Sequence, residues 1–298
     1  MALYKSVNRK LSLIKSKPFS LEKEIQNLTE KNLETLFNYK FVCSEFTIKN
    51  FRIDTLAFDS ETNAFVIIEY KKDKNFSVID QGFTYLSLML NNKADFILKY
   101  FESLDTTLNR KDMDWSQTKV LFIAPSFTSF QKESINFNDL PIELWEIKRY
   151  SGDIVLYDRI TSERAVESIK TILKNKNKIS AVTKQIKVYS EDNLLEGVSK
   201  KIKDAYYKIK EEIYQIDSGI DERIKKTMIC FYSDGKGLVW VAPKKKSIQF
   251  HLRKGKYSDK YGKIKPEGWG GYPELHLSED DIDLSYLKDL FEQAFAKE

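Results

Sequence analysis

The chain has 298 residues, 42% hydrophobic and 31% charged, with a formal net charge of +5, which allows two cores of ordinary size and leans toward a polyanionic partner. No apolar run approaches the ~20 residues of a membrane helix. Two cysteines, Cys43 and Cys230, and two histidines, His251 and His276, argue against a disulfide framework and against a zinc centre. The opening "MALYKSVNRKLSLIKSKPF" is basic and partly apolar but has no continuous apolar segment and no small-residue cleavage site, so it does not read as a signal peptide, and the cytoplasm is the default compartment.

From Ser20, "SLEKEIQNLTEKNLETLF" places Leu21, Ile25, Leu28, Leu33, Leu36 and Phe37 at helical spacing, with Ser20 the expected N-cap and a break near Thr29 equally compatible. Three strands follow, around Phe46 to Ile48, over Arg52 to Phe58, and in "AFVIIEYK", with "DSETN" joining the last two as a hairpin. Ser77 caps a helix through "VIDQGFTYLSLMLNN", and "ADFILKYFESL" is another. Beyond Trp115 the pattern predicts a strand in "TKVLFIAPSF", a helix in "SFQKESINF", and strands in "IELWEIKRY" and "IVLYDRI". That succession predicts an α/β domain with a mixed sheet over residues 1–170. Residues 171–190 carry five lysines and no acidic residue and are expected as a linker. Residues 191–298 read as a smaller α+β domain: a long helix over "EDNLLEGVSKKIKDAYYKIKEEIYQI", strands in "KKTMICFYSD", "GLVWVAPKKKSIQFHLRKG" and "YPELHLS", and a closing helix.

The charges at the end of "FVIIEYKK" carry the chemistry. Alternation along a strand puts Glu69 and Lys71 on one face, with Ile68 and Tyr70 on the other. Asp54 precedes Glu69 by 15 residues, on the neighbouring strand of the hairpin, where antiparallel pairing brings the two carboxylates together. Such a pair repels unless a cation lies between, and oxygen ligands without histidine or cysteine point to Mg²⁺ or Mn²⁺. A lysine beside that ion suits water activation and charge stabilisation in phosphoryl chemistry. The plain alternative is an exposed cross-strand ion pair, which contributes little to stability.

Asp54 followed by Glu69-Tyr70-Lys71 resembles the PD-(D/E)XK nuclease superfamily, with "RID" in place of the proline-bearing motif as in archaeal-type repair endonucleases and RecB-type nucleases. The likeness spans roughly residues 18 to 160. It implies a restriction-endonuclease-like α-β-β-β-α core, DNA as substrate and the Tyr70 carbonyl as a further metal ligand. It also implies a helix bearing Gln81 and, four residues on, Tyr85. The superfamily often adds a glutamate from the first helix: Glu22 is the first choice, with Glu24 and Glu34 as substitutes. Arg52, Lys72 and Lys74 are expected to meet the nucleic-acid backbone; Tyr85 either joins them or, as part of the apolar stripe of Ile79, Phe83, Leu86 and Leu90, belongs to the core; the assembly admits a homodimer. The competing reading is a nuclease fold without activity, kept as a nucleic-acid-binding or protein-interaction module. The C-terminal half resembles a small domain of unknown function appended to such nucleases. Its Lys244 to Lys246 and the loop from Lys254 to Trp269 interleave cations with aromatics, as a nucleic-acid surface would.

Overall fold

In the computed structural model, which describes residues 2–72, 77–106, 108–135, 137, 139–161, 177–217 and 219–297, the chain divides into two compact units, residues 1–33 with 39–187 and residues 34–38 with 188–298.

The first unit opens with β1 (Tyr4–Val7), β2 (Lys10–Leu13) and β3 (Ser16–Lys17), none of which the apolar pattern announces. Helix α1 (Glu22–Glu30) follows, and the chain breaks before α2 (Leu33–Phe37), whose residues from Glu34 on belong to the second unit. Ser20 is not the cap: Leu21 holds that place, without a side-chain bond to the helix. Strands β4 (Lys40–Ile48), β5 (Phe51–Asp59) and β6 (Ala64–Tyr70) form the expected antiparallel meander. Ser77 caps α3 (Val78–Asn91) by accepting the Asp80 amide, and α4 (Lys93–Ser103) comes next. Then come β7 (Lys119–Ala124), α5 (Ser129–Ser134), β8 (Ile142–Tyr150) and β9 (Val155–Ile160).

The sheet runs β3-β8-β7-β6-β5-β4, with β9 also on β8, and mixes antiparallel pairs with the parallel pairs β6–β7 and β7–β8. Every residue of β6 is buried, which is why its sequence is a continuous apolar run rather than an alternating one. Phe58, Phe65, Ile67, Val120 and Phe122 pack with Phe83, Leu86, Met89, Phe96 and Tyr100 of α3 and α4 in the core on one side, and α1 lies on the other, against β5 and β6.

The lysine-rich stretch expected as a linker departs from that reading. Its described part contains α6 (Asn177–Gln185), which packs on α3, and Val182 and Ile186 join the first core. Val182 and Ile186, at helical spacing, turn into that core, while Lys184 and Lys187 are exposed.

The second unit holds α7 (Glu191–Leu195), α8 (Lys200–Ile216), β10 (Asp221–Ile224), β11 (Ile229–Ser233), β12 (Lys236–Lys244), β13 (Ser247–Leu252), β14 (Glu274–Ser278) and α9 (Leu284–Phe295). The long helix expected from residue 191 is thus two: Gly197 takes φ +70 between them, and Ser199 starts α8 as a new N-cap. The five strands form one antiparallel meander in chain order, covered by α8 and α9. No helix among the described residues is long and apolar enough to cross a membrane.

Candidate active site

The β5–β6 ladder stops at Thr55↔Ile68. Just beyond it the backbone N–H of Tyr70 donates to Asp54 Oδ2 at 3.0 Å, so a side chain takes over where the strands part. On its other edge β6 stays paired: Glu69 and Tyr70 lie opposite Phe122 and Ile123 of β7, and the Lys71 amide donates to the Ile123 carbonyl at 3.0 Å. One strand end is therefore held on the β7 side and open toward β5, with Asp54, Glu69 and Lys71 on the face that meets α3.

Glu69 is only 3% exposed. Its Oε1 accepts from Lys71 Nζ at 2.6 Å and from Gln81 Nε2 at 2.7 Å. Its Oε2 is buried and has no hydrogen-bond partner. Gln81 also donates to the Tyr85 hydroxyl at 3.1 Å, which donates in turn to the Arg52 carbonyl at 3.2 Å. Burial, and secondarily the Glu69 charge, push the Asp54 carboxyl up to about 6, against the opposing pull of the Tyr70 amide, Lys71 and Arg52. Two carboxylates sharing a desolvated place, one oxygen of them unpartnered, fit a hard divalent cation such as Mg²⁺. Among the described residues no group of three or more His, Cys, Asp or Glu side chains is gathered as a metal cage, so such an ion would rest on this pair and on backbone or solvent oxygens.

A cleft of about 470 Å³ adjoins Asp54 and is lined by Ser20, Leu21, Glu22, Lys23, Gln26, Glu45, Arg52, Tyr70 and Lys72 as well. Glu22 Oε1 accepts the Lys72 amide at 2.9 Å, tying α1 to the chain after β6. Of the two substitutes, Glu24 pairs with Arg149 at 3.2 Å, and Glu34 belongs to the second unit. Arg52 stands at the rim, 3.8 Å from Glu45. Lys74 lies outside the described residues. Tyr85 takes the core place of its two readings and corrects the other: at 5% exposure it offers no surface to a nucleic acid, and its hydroxyl holds Gln81.

Residues not singled out in the sequence support the site from behind. Gln26 Nε2 on α1 donates to the Asp54 carbonyl, to Ser44 Oγ and to Glu30 Oε1, each at 2.9 Å. Glu30 Oε1 also accepts from Ser44 at 2.7 Å and from the fully buried Thr55 at 2.6 Å. The four-residue spacing of Gln26 and Glu30 and the polar Ser44 and Thr55 within strands were the available signal. In the second unit two tyrosines of the expected cationic loop bond within the unit, while Tyr261 stays 51% exposed. Tyr257 donates to the Arg253 carbonyl at 2.7 Å and Tyr261 to Asp283 at 2.9 Å.

Fold and site together define an α/β protein with an acidic pair and a lysine at the parting ends of two central strands. The chain belongs to the family of an uncharacterized protein of Haemophilus influenzae, with which it is 41% identical over 299 residues, 99% of each chain being covered. Residues 191–297 match a domain of unknown function, DUF5655. Among solved structures, the chain is similar to a repair endonuclease from Pyrococcus abyssi (20% identity, 40% of this chain and 44% of that one, TM-score 0.24). It is also similar to a chain of the EndoMS-dsDNA2 complex (16% identity, 49% and 65%, TM-score 0.27). A third likeness is to Pyrococcus furiosus SfsA in complex with Ca²⁺ (10% identity, 53% and 88%, TM-score 0.26). TM-scores this low bear neither on the fold nor on the activity.

Proposed function

We propose that the first unit is a metal-dependent phosphodiesterase of the PD-(D/E)XK type that hydrolyses DNA. The observation that carries this reading is the division of labour on Glu69: one oxygen takes Lys71 and Gln81, and the other is buried without a partner beside Asp54. Asp54 and Glu69 would hold Mg²⁺ or Mn²⁺, with the Tyr70 carbonyl and Glu22 as additional oxygen donors. When bound, the ion would supply charge stabilisation at a phosphoryl oxygen and a more acidic water. Lys71 keeps its ammonium at the edge of the acidic pair, where it orients the attacking water and offsets charge growing on the phosphate. Gln81, held by Tyr85, keeps the Glu69 carboxylate from turning. Lys23, Arg52 and Lys72 border the cleft with cations that suit a phosphate backbone.

The test is cleavage of single-stranded, double-stranded and branched DNA in Mg²⁺ or Mn²⁺ by the wild type, Asp54→Ala and Lys71→Ala. Cleavage by the wild type that is lost in both variants supports the assignment. No cleavage on any substrate, or cleavage that survives both substitutions, overturns it.

A further inference from the structure

The strands β1 and β2 form a two-stranded sheet of their own, and every residue of both is exposed. The register Tyr4↔Leu13, Lys5↔Ser12, Ser6↔Leu11 and Val7↔Lys10 closes on Asn8 and Arg9. Both turn residues have positive φ, 50 and 63, the backbone of a tight hairpin turn whose second place usually goes to glycine. Here that place carries a guanidinium. A free two-stranded hairpin is marginal in water, and Leu11 at 69% and Leu13 at 58% exposure add an uncovered apolar face to it.

The charge of the chain is concentrated in the same place. Residues 1–17 contain Lys5, Arg9, Lys10, Lys15 and Lys17 and no acidic side chain; the remainder balances at 44 basic and 44 acidic residues. The whole formal net charge of +5 therefore resides in the hairpin and the segment that anchors it.

Register locates that anchor. Arg149 of β8 pairs with Val155 of β9 on one edge and with Lys17 of β3 on the other. The edge that β3 takes is the one β7 occupies further back, over Ile142 to Glu146. β3 thus continues in line beyond the C-terminal end of β7. That is the end at which Tyr70 pairs with Ile123 and Lys71 leaves β6. Ser20 and Leu21, just after β3, line the cleft with Asp54. Leu13 is seven residues from Ser20, a chain length of at most ~25 Å.

We infer that the β1–β2 hairpin is a basic ribbon that lies in a groove of duplex DNA and presents the duplex to the cleft. The inference rests on the nuclease reading and narrows its substrate to double-stranded DNA. A two-stranded ribbon matches the ~12 Å major groove. Lys5 and Lys10 on one face and Arg9 at the tip neutralise phosphates, while Tyr4, Leu11 and Leu13 on the other face supply apolar contact.

The test compares the wild type with Lys5→Ala/Arg9→Gly/Lys10→Ala by fluorescence anisotropy, in EDTA so that nothing is cleaved. The probes are a labelled duplex of two helical turns and one of its strands. Arg9→Gly relaxes the turn and the other two positions are exposed, so the fold is retained. The expected result is at least about tenfold weaker duplex binding at low salt and a salt dependence shallower by about three, with a smaller loss on the single strand. Equal duplex affinity of the two proteins, absence of duplex binding by the wild type, or an equal loss on both probes overturns the inference. So does self-association in sedimentation that is lost in Leu11→Ser/Leu13→Ser while duplex affinity stays unchanged in both variants, which makes the hairpin a contact between copies of this chain. Because binding is read without metal, weaker duplex binding with no cleavage at all would fell the nuclease reading and spare the ribbon. Cleavage dependent on Asp54 and Lys71 with unchanged duplex affinity would do the reverse.

Discussion

Asp54 accepts the backbone N–H of Tyr70 at 3.0 Å, so the carboxylate replaces the next rung of the β5–β6 ladder and is held at the point where the strands separate. A side chain used in this way is oriented by the sheet itself. It is also kept beside Glu69, and the first consequence is a stability cost that depends on pH.

With its carboxyl raised from 3.8 to about 6, folded Asp54 binds a proton more tightly than the unfolded chain does. Its contribution to stability is therefore present below pH 4 and lost as the pH rises through 6. Asp54→Asn retains an acceptor for the Tyr70 amide and removes the charge. The metal-free variant is expected to melt a few degrees above the wild type at pH 8 and with it at pH 4, measured by calorimetry in EDTA. A variant that melts below the wild type at pH 8 would contradict the assigned burial and repulsion.

Lys71 and Glu69 form a pair whose side chains are 21% and 4% exposed. Removing one partner leaves a charge in a desolvated place, which costs about 1–3 kcal/mol at this degree of burial. Lys71→Met and Glu69→Gln are each expected to destabilise the protein, and the double variant by less than the sum. Urea unfolding of the four proteins gives the coupling directly, and additive losses would show that the two groups do not depend on each other.

Glu30 gathers Gln26, Ser44 and Thr55 onto one oxygen, and Gln26 grips the Asp54 backbone. Glu30→Ala leaves the fully buried Thr55 hydroxyl with only the Tyr70 hydroxyl, and Gln26 with only Ser44 and the Asp54 carbonyl. A loss of about 2 kcal/mol is expected, with weaker Mn²⁺ binding in titration calorimetry because the brace behind Asp54 is loosened. Unchanged Mn²⁺ affinity in a destabilised variant would confine the network to a structural role.

Gly82, next to Gln81, lets α3 pack closely on β8: a Cβ there would meet Ile142 Cδ1 at 2.4 Å. Alanine favours a helix by about 1 kcal/mol over glycine, yet Gly82→Ala is expected to lower the melting temperature, because the buried contact must open. Ile142→Val removes that methyl and is expected to restore most of the loss. A stabilising Gly82→Ala would show that α3 can shift freely.

Much of the first unit was legible. The apolar run of β6, the hairpin polar tract before it and the Ser77 cap are local signals, and all three elements appear where they point. So do the positions of Asp54, Glu69, Lys71 and Gln81, because strand alternation and the helical repeat are enough to put them on facing surfaces. The Lys-rich stretch reads as a linker because its apolar pair, Val182 and Ile186, is outnumbered in sequence by lysines. β1 and β2 give no such signal for a different reason: with no buried face, their four-residue strands carry no core alternation.

By itself, the sequence determined which side chains share a face, since that follows from the periods of strand and helix. Only the tertiary structure decided that the β5–β6 ladder ends one step short of Glu69, leaving Asp54 to take the Tyr70 amide and one Glu69 oxygen without a partner. It also decided that Tyr85 turns inward to hold Gln81, that Gln26 and Glu30 brace the strand from behind, and that β3 sets a basic hairpin at the site's end of the sheet. These are relations between segments distant in sequence. Desolvation and strand register govern them, and neither is a property of a local stretch of chain.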